Sequence, residues 1–484
     1  MSETNNLLDP FDLAIIGAGS GGVVAAPFAA RAGARVALIE KHRIGGDCTW
    51  TGCVPSKALL KAAKVAHSVR VANTFGLAAT LEPVNLKRVM DYVRAAIQTV
   101  YAAETPEVLR HEGVDVFLAE ASFVDAHTLS LLSENGERQT LIAKHILICT
   151  GGRAALPDIP GLREVPYITN ETVFDMETLP QHLLVLGGGP IGLEMAQAFR
   201  RLGSEVTVLQ SGARLLPKDE PEASDVLVQC LRAEGLTVHL NTRVTRATQA
   251  GDEIVLDTAA GPVSGDALLV AVGRRPNVES LKLQNAGVNF SEKGLPVDEH
   301  LRTNIRHIYA AGDVIGGPQF THVAGFQAFT AARNALFPGA SRGVSEHVPW
   351  TTFTEPEVAH CGMSEAEARQ QYGDAVLVRT KPMTTVDRAV TESDVAGFIK
   401  VILKDDGTVL GATVVAERAG EIIHEWILAI EQGWKLNQLA GAMHVYPTYA
   451  IANQQLASDY AVESFLNSTA AKLLNRLSGR ASKL

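Results

Sequence analysis

The sequence predicts an α/β protein in which two Rossmann-like dinucleotide-binding folds are followed by a C-terminal α+β domain. Three observations carry that prediction. A strand, a glycine turn, a helix and a second strand follow one another twice, once from Phe11 to Glu40 and again from His182 to Gln210. At 484 residues the chain is too long for one hydrophobic core. After about His347 the nucleotide pattern gives way to alternating apolar strands and amphipathic helices.

In the first copy, Phe11 to Ile16 is an apolar run rich in branched residues, followed by Gly17-Ala18-Gly19-Ser20-Gly21-Gly22 and a small-residue helix through Arg31. The next strand, Arg35 to Ile39, ends at Glu40. Gly17 permits the tight turn, Gly19 lets a pyrophosphate approach the backbone, and Gly22 lets the helix meet the strand. Glu40 can accept hydrogen bonds from adenosine ribose hydroxyls, with Lys41 beside it.

The stretch that gives these folds a chemistry is Gly45-Gly46-Asp47-Cys48-Thr49-Trp50-Thr51-Gly52-Cys53-Val54-Pro55-Ser56-Lys57. It precedes an Ala-, Leu- and Lys-rich segment, Ala58 to Arg70, that reads as a helix. A helix start offers unpaired N–H groups and positive dipole charge, so at least one of Cys48 and Cys53 should ionise more easily than a free thiol. A zinc site would need two further ligands, which the chain does not place nearby. Two buried structural cysteines are the plain alternative, but the flanking Gly-Gly and Pro-Ser-Lys and the two fingerprints favour a redox disulfide.

The second copy runs from the strand His182 to Leu186 through Gly187-Gly188-Gly189-Pro190-Ile191-Gly192 and the helix Leu193 to Leu202 to the strand Glu205 to Leu209. Two such folds imply two nucleotide cofactors. One of them is a flavin dinucleotide, because a cysteine pair cannot take a hydride from a nicotinamide without a two-electron intermediary. The position corresponding to Glu40 is Gln210, which neither favours a free ribose hydroxyl as an acid would nor a 2′-phosphate as an arginine would. Arg214 follows four residues later, and NADH and NADPH both stay open.

Between the fingerprints, Val65 to Leu109 reads as long helices, Val114 to Ser130 as short strands, and Lys144 to Thr150 as a strand entering Gly151-Gly152. A similar strand, Ala267 to Gly273, leads into Arg274-Arg275-Pro276-Asn277. The chain then returns to the first domain through a short strand within Leu301 to Asp313, ending in Gly312-Asp313, and a helix from Thr321 to Leu336. The Pro- and Gly-bearing region Pro338 to Pro349 marks a boundary, after which strands (Gly397 to Leu403, Val409 to Val415) and helices (Glu421 to Gln432, Tyr449 onward) follow.

Composition excludes several classes. A net charge near −10 argues against a nucleic-acid partner. The start, Met1 to Pro10, has no basic region followed by an apolar core, and no later run is long enough to span a membrane, so the expected location is the cytoplasm. A reducing compartment makes a Cys48–Cys53 disulfide catalytic rather than structural. Cys149, Cys230 and Cys361 lie scattered in apolar contexts and are expected to be buried.

Assembled in this way, the chain resembles the pyridine nucleotide-disulfide oxidoreductases, the family of glutathione reductase, dihydrolipoamide dehydrogenase and mercuric reductase, from about Asp12 to about Asp459. Gly45 to Lys57 looks like that family's redox-active segment, with Thr49-Trp50 where Leu-Asn or Val-Asn is commoner. The resemblance implies that Cys53 lies against the flavin as the charge-transfer thiol and that Cys48 faces the substrate. It implies that Lys57 and Glu194 form an ion pair beside the flavin, and that Asp313 holds the ribityl chain. The helix from Thr321 would point its positive end at the flavin, and Gly46, Thr150, Gly151, Gly273 and Gly312 would contact cofactor. Pro190 stands where some relatives carry an aromatic gate.

The implied organisation is an FAD-binding domain in two parts, 1–155 and 277–346, an NAD(P)-binding domain at 156–276, and a dimerisation domain at 347–484, the active unit being a homodimer. One departure bears on the electron acceptor. Where thiol-reducing relatives carry a histidine before Pro-Thr and a glutamate five residues on, reaching the site from the partner subunit, this chain has Tyr446 and Ile451. A general base near neutral pKa contributes about 10²- to 10⁴-fold, and a phenol with an ordinary pKa near 10 is mostly protonated at pH 7. His444, two residues upstream, is either a displaced base or a structural histidine.

Mercuric reductase-like proteins also lack that histidine, so the reading ranked first is an NAD(P)H oxidoreductase that passes electrons through Cys48 and Cys53 to a soft metal ion held by the two sulfurs, with no resident metal. Such reductases typically add a C-terminal cysteine pair, which the tail Lys472 to Leu484 lacks. Dihydrolipoamide dehydrogenase-like or quinone reductase (diaphorase) activity comes second. A flavin-binding redox sensor is the non-catalytic alternative.

Overall fold

The computed structural model describes residues 9–477. Met1 to Leu8, on which most of the N-terminal reading rests, and the last seven residues of the tail lie outside the described residues. Contacts gather the chain into two units: residues up to 209 with 242–345, and 210–241 with 346 onward.

The first unit opens with β1 (Phe11–Ile16), α1 (Gly22–Arg31) and β2 (Val36–Glu40), then α2 (Gly46–Trp50), α3 (Cys53–Arg70), α4 (Leu86–Tyr101) and α5 (Pro106–His111). Next come β3 (Val114–Phe123), β4 (Thr128–Ser133), β5 (Arg138–Ile148) and the short β6 (Gly152–Ala154). β2 and β5 flank β1 in parallel, with Leu13 beside both Val36 and His145, while β3 pairs with β2. β4 joins β3 and β5 as an antiparallel meander. The strands read as apolar runs because both faces are covered: Leu13 and Ile15 point into one core with α1, Ala14 and Ile16 into the other.

The second nucleotide fold has β7 (His182–Leu186), α6 (Pro190–Leu202) and β8 (Glu205–Leu209). Within segment 210–241 lie α7 (Pro221–Ala233) and β9 (Thr237–His239). The first unit resumes with β10 (Val244–Ala250), β11 (Glu253–Thr258) and β12 (Gly261–Gly265), an antiparallel sheet. It continues with β13 (Ala267–Val270), parallel to β7, and β14 (Arg274–Pro276), antiparallel to β6. β15 (Ile308–Ala310) adds to β5 in parallel and α8 (Thr321–Leu336) packs along α1.

The other unit carries a five-stranded antiparallel sheet, β16 (Trp350–Thr352), β17 (Glu357–Gly362), β18 (Val376–Pro382), β19 (Phe398–Lys404) and β20 (Val409–Ala416), in the order β16-β17-β20-β19-β18. Its helices are α9 (Glu365–Tyr372), α10 (Asp387–Glu392), α11 (Ala419–Ile422), α12 (His424–Glu431), α13 (Leu436–Ala440), α14 (Ile451–Asn467) and α15 (Thr469–Leu477). Trp426, fully buried, centres its core. Among the described residues no helix is long and apolar enough to cross a membrane.

Several boundaries differ from those read in the sequence. α3 starts at Cys53, not Ala58, because Pro55 falls in the first turn, where no intrahelical N–H donor is required. Val65 to Leu109 is broken after Arg70: Gly76 takes a left-handed conformation, and the Asn85 side chain then caps α4 by accepting from the Arg88 N–H. The helix expected over 421–432 is split into α11 and α12, and the strand within 301–313 shrinks to three residues beyond Leu301, whose φ is +69°. Cys149 and Cys361 are buried as expected, whereas Cys230 is only half-buried.

Candidate functional site

The two glycine turns are built alike. Gly17 and Gly187 hold φ of +102° and +116°, a region costly for any side chain. A Cβ at Gly22 would stand 2.1 Å from the Gly17 carbonyl oxygen, and one at Gly192 2.4 Å from that of Gly187, so in both copies the third glycine is what lets helix meet strand. A Cβ at Gly189 would meet nothing within 4 Å, and one at Gly19 nothing nearer than 3.8 Å. At both turns the second glycine leaves its Cβ position open, so the backbone amides of the first helical turn can be approached closely, as a dinucleotide pyrophosphate requires, and the cradle fits two dinucleotides.

The ends of the copies differ. Glu40 accepts from the Ala18 N–H (2.8 Å) and the His42 N–H (2.8 Å), which fixes its carboxylate beside the first turn, while Lys41 is exposed. Gln210 instead donates its side-chain amide to the Arg214 carbonyl (3.1 Å) in its own loop. Thr150 donates its hydroxyl to the Asn277 carbonyl (2.7 Å). Gly151 and Gly273 have positive φ and no neighbour within 4 Å of a Cβ position. Gly312 donates its N–H to Gln327 Oε1 (2.9 Å) and lies close against Ala324 of α8.

The cysteines meet at the joint between α2 and α3. Cys48 lies in the five-residue α2, and Cys53 is the first residue of α3, at the positive end of an 18-residue helix. Both are thiols in this structure. Cys53 Sγ is 3.2 Å from Thr321 Oγ1, the first residue of α8. A hydrogen bond from Cys48 above all, helped by Thr321 and the Lys57 charge against the opposing effects of burial and Glu194, lowers the Cys53 thiol to about 6. The same hydrogen bond, with burial, pushes Cys48 upward. One proton is thus shared, Cys53 being the sulfur that carries the negative charge near neutral pH.

Lys57, one turn into α3, donates its ammonium to Glu194 Oε2 of α6 at 2.8 Å. Glu194 is buried, with 7% of its side chain exposed, so α3 and α6 are joined by a charged pair, and both of its charges act on Cys53. Pro190 opens α6 as its first residue, where it supplies the helical φ and no side chain that could act as an aromatic gate.

Several residues at the site have no signature in the sequence. Arg274, with 15% of its side chain exposed, donates Nε to Asp313 Oδ2 (3.1 Å) and Nη2 to the Gly152 carbonyl (2.8 Å), and pairs with Asp47 beside Cys48. Burial raises Asp313, and Arg274 opposes that rise. The alternation of β14 places Arg274, not Arg275, toward these acids, a choice that sequence pattern alone does not make. The unusual Thr49 and Trp50 are anchors for α2. Thr49 donates to Glu104 Oε2 (3.0 Å), and Trp50 Nε1 donates to the Ile44 carbonyl (2.7 Å) with its ring against Tyr101.

The C-terminal segment belongs to the other unit and is solvent-facing there. Met443, Val445 and Tyr446 are 97%, 75% and 63% exposed. Tyr446 donates its phenol to Asp387 Oδ2 (2.8 Å), and that carboxylate raises the phenol above its ordinary value. His444 has Nε2 against both Glu425 carboxylate oxygens (2.9 and 3.0 Å) and Nδ1 against the Ala442 carbonyl (3.0 Å). Both partners only accept, so both nitrogens carry protons. Burial lowers this imidazole, but Glu425 and Ala442 outweigh it and the net direction is upward. His444 is thus held on both ring nitrogens within its own unit, by Glu425 and by the Ala442 carbonyl. Ile451 is packed into the core.

A two-copy dinucleotide fold with a thiol pair at a helix start defines a class of thiol-linked flavin and nicotinamide oxidoreductases. The pyridine nucleotide-disulphide oxidoreductase profile matches residues 11–328, and the dimerisation domain of the same group matches 348–457. A mercuric reductase of Streptomyces lividans is 38% identical over 464 residues, 93% of this chain and 97% of that protein. A mercuric reductase of Bacillus cereus is 35% identical over 448 residues, 91% of this chain and 70% of that protein. Among solved structures, the Cu(II) complex of the HOCl-induced flavoprotein disulfide reductase RclA from Escherichia coli superposes with a TM-score of 0.83 at 28% identity, covering 92% of this chain and 99% of that one. LpdA from Mycobacterium tuberculosis gives 0.85 at 28% identity, with 93% and 99% covered. The chain belongs to the pyridine nucleotide-disulphide oxidoreductase family, a mercuric reductase-like flavoprotein enzyme whose family cofactors are FAD and NAD(P)H.

Proposed function

We propose that the protein is a homodimeric oxidoreductase that draws electrons from NADH or NADPH and delivers them through Cys48 and Cys53 to a soft metal ion of the Hg(II) type. The observation that carries the choice of acceptor is Tyr446, standing where thiol-reducing relatives carry a histidine and bound through its phenol to Asp387. The Tyr446 proton is committed to Asp387, and both His444 nitrogens are committed to oxygen acceptors. Reducing a disulfide substrate calls for a proton donor and acceptor near neutral pKa, whereas a metal ion leaves without one. The mercuric reductase relatives, and a Cu(II) complex in a structural relative, favour the same class of acceptor.

In this reading residues 1–155 and 277–346 hold FAD, 156–276 hold the nicotinamide nucleotide, and 347–484 pair with a second copy. The turn Gly17–Gly22, Glu40, Gly46, Thr150, Gly151, Gly312 and Asp313 would hold the first cofactor. Gly187, Gly189, Gly192, Gln210 and Gly273 would hold the second. When bound, FAD supplies the two-electron link between nicotinamide and sulfur. Lys57, fixed by Glu194, keeps a positive charge behind the pair, and Thr321 donates to the Cys53 thiolate. Cys48 and Cys53 together offer two soft ligands to the ion, and the exposed segment around Tyr446 from each protomer closes the other's site.

The test is anaerobic reduction with NADH or NADPH, followed by parallel addition of thiol-buffered Hg(II), lipoamide, oxidised glutathione and a quinone. The expected result is fastest reoxidation by Hg(II), lost in Cys48→Ser while reduction by the nicotinamide persists. Faster reoxidation by lipoamide or glutathione would overturn the acceptor assignment. Quinone turnover that survives alkylation of both cysteines would overturn the thiol route, and a single turnover with no steady state would mark a sensor.

A further inference from the structure

We propose that Arg274 is a positioning residue for the redox pair, fastening the helix that carries Cys48 to Asp313 so that Cys48 is held where it can close a disulfide with Cys53. The inference rests on the reading of these cysteines as a redox couple. It starts from the smallness of α2. A helix of five residues has no stability of its own, so its position depends on what holds it.

Thr49 and Trp50 hold it after the cysteine, through Glu104, Ile44 and Tyr101. Before the cysteine, Asp47 is held by Arg274, 227 residues away in sequence. Arg274 is itself fixed on the other side by Asp313 and by the Gly152 carbonyl, and the β6–β14 ribbon that carries it is so close to Asp313 that a Cβ at Gly152 would lie 3.3 Å from the Asp313 Cβ. A guanidinium suits this task because its planar fork can serve three acceptors at fixed angles.

A disulfide demands a narrow geometry, with sulfurs about 2.05 Å apart and Cβ atoms about 3.8 Å apart. When both thiols are pre-placed, closing the bond costs less orientational entropy, and the equilibrium shifts toward the disulfide. The exchange is balanced with dithiothreitol as partner: Cys48 and Cys53 lose two protons and two electrons to the cyclic disulfide, which opens to its dithiol.

The experiment measures that equilibrium constant on the FAD-loaded protein, by acid quench, alkylation and mass spectrometry of the peptide spanning both cysteines. Asp47→Asn and Arg274→Met should each lower it about tenfold, with Arg274→Lys between them and the wild type. A purely electrostatic role gives a different pattern. Removing the Asp47 anion would favour thiolates and lower the constant, whereas removing the Arg274 cation would disfavour thiolates and raise it. Opposite shifts, or changes under twofold in both variants, would overturn the proposal. If Arg274→Met does not fold, Arg274→Lys decides, because it keeps the charge and loses the fork; a wild-type value overturns the inference. Failure of the wild-type protein to form the disulfide at all would instead sink the redox reading beneath it.

Discussion

The segment Gly45–Lys57 and the segment Met443–Tyr449, the two to which the proposed function assigns chemistry, are finished in opposite ways. Around the first, every group with a reactive or ionic role finds its partner within the same unit: Cys53 with Thr321, Lys57 with Glu194, Asp47 with Arg274, Thr49 with Glu104. The second leaves Met443, Val445 and Tyr446 mostly exposed, inside the stretch that matches a dimerisation domain. A site whose charge must be stabilised during reaction has to be pre-organised by buried partners. On the proposed reading the second segment stays open because it completes a neighbour's site.

Breaking the first segment should have the largest effect. Cys53→Ser removes the thiolate, and steady-state turnover with Hg(II) should fall to background; retained turnover would show that the pair is not on the electron path. Glu194→Gln leaves Lys57 without its acid. We expect about 10²-fold slower thiol reduction in stopped-flow and a loss of about 1–3 kcal/mol in urea unfolding, modest because Lys57 keeps contact with water.

Changes in the second segment should be smaller and should alter preference rather than abolish activity. Tyr446→His supplies an imidazole where thiol-reducing relatives have one, and lipoamide or glutathione turnover should rise by about tenfold, short of the full value of an oriented base. Adding Ile451→Glu should not complete the gain, because Ile451 is buried in the core and a carboxylate there lowers the melting temperature. Tyr446→Phe should change Hg(II) turnover by no more than about fivefold, the scale of one hydrogen bond.

The pH dependence sharpens the contrast further. In reduced protein, alkylation of Cys53 should follow a midpoint at about pH 6, measured by mass spectrometry against time. The sign is that of an acid with a depressed folded value: the stability gained from its thiolate is full above the unfolded thiol value near 8.5 and is lost as pH falls through about 6. His444 runs the other way. Its raised folded value contributes stability below the ordinary value of 6.5 that disappears as pH climbs past the folded one, so His444→Gln should flatten the alkaline side of the stability profile.

Much of this was legible before any coordinates. The strands His182–Leu186 and Glu205–Leu209 and the helix Thr321–Leu336 have the bounds that their patterns suggest, because long periodic runs framed by glycine turns leave one choice of element. The start of α3 was not legible, since Cys53-Val54-Pro55 reads locally as loop. The structure places Pro55 in the first turn of α3, and Lys57, one turn in, is fixed by Glu194 of α6 far along the chain. His444 shows the same limit: nothing in its neighbouring residues points to Glu425, 19 residues away, as the group that holds its ring.

The sequence by itself determined the two dinucleotide folds, the thiol pair and the loss of the C-terminal histidine, because each is written in neighbouring residues whose periodicity or steric demand acts locally. The tertiary structure alone decided which groups hold the charge on Cys53, which of two adjacent arginines joins Asp47 to Asp313, and what Thr49 and Trp50 are for. Those outcomes depend on partners tens to hundreds of residues away, and a charge or a hydrogen bond is fixed by distance in space rather than along the chain.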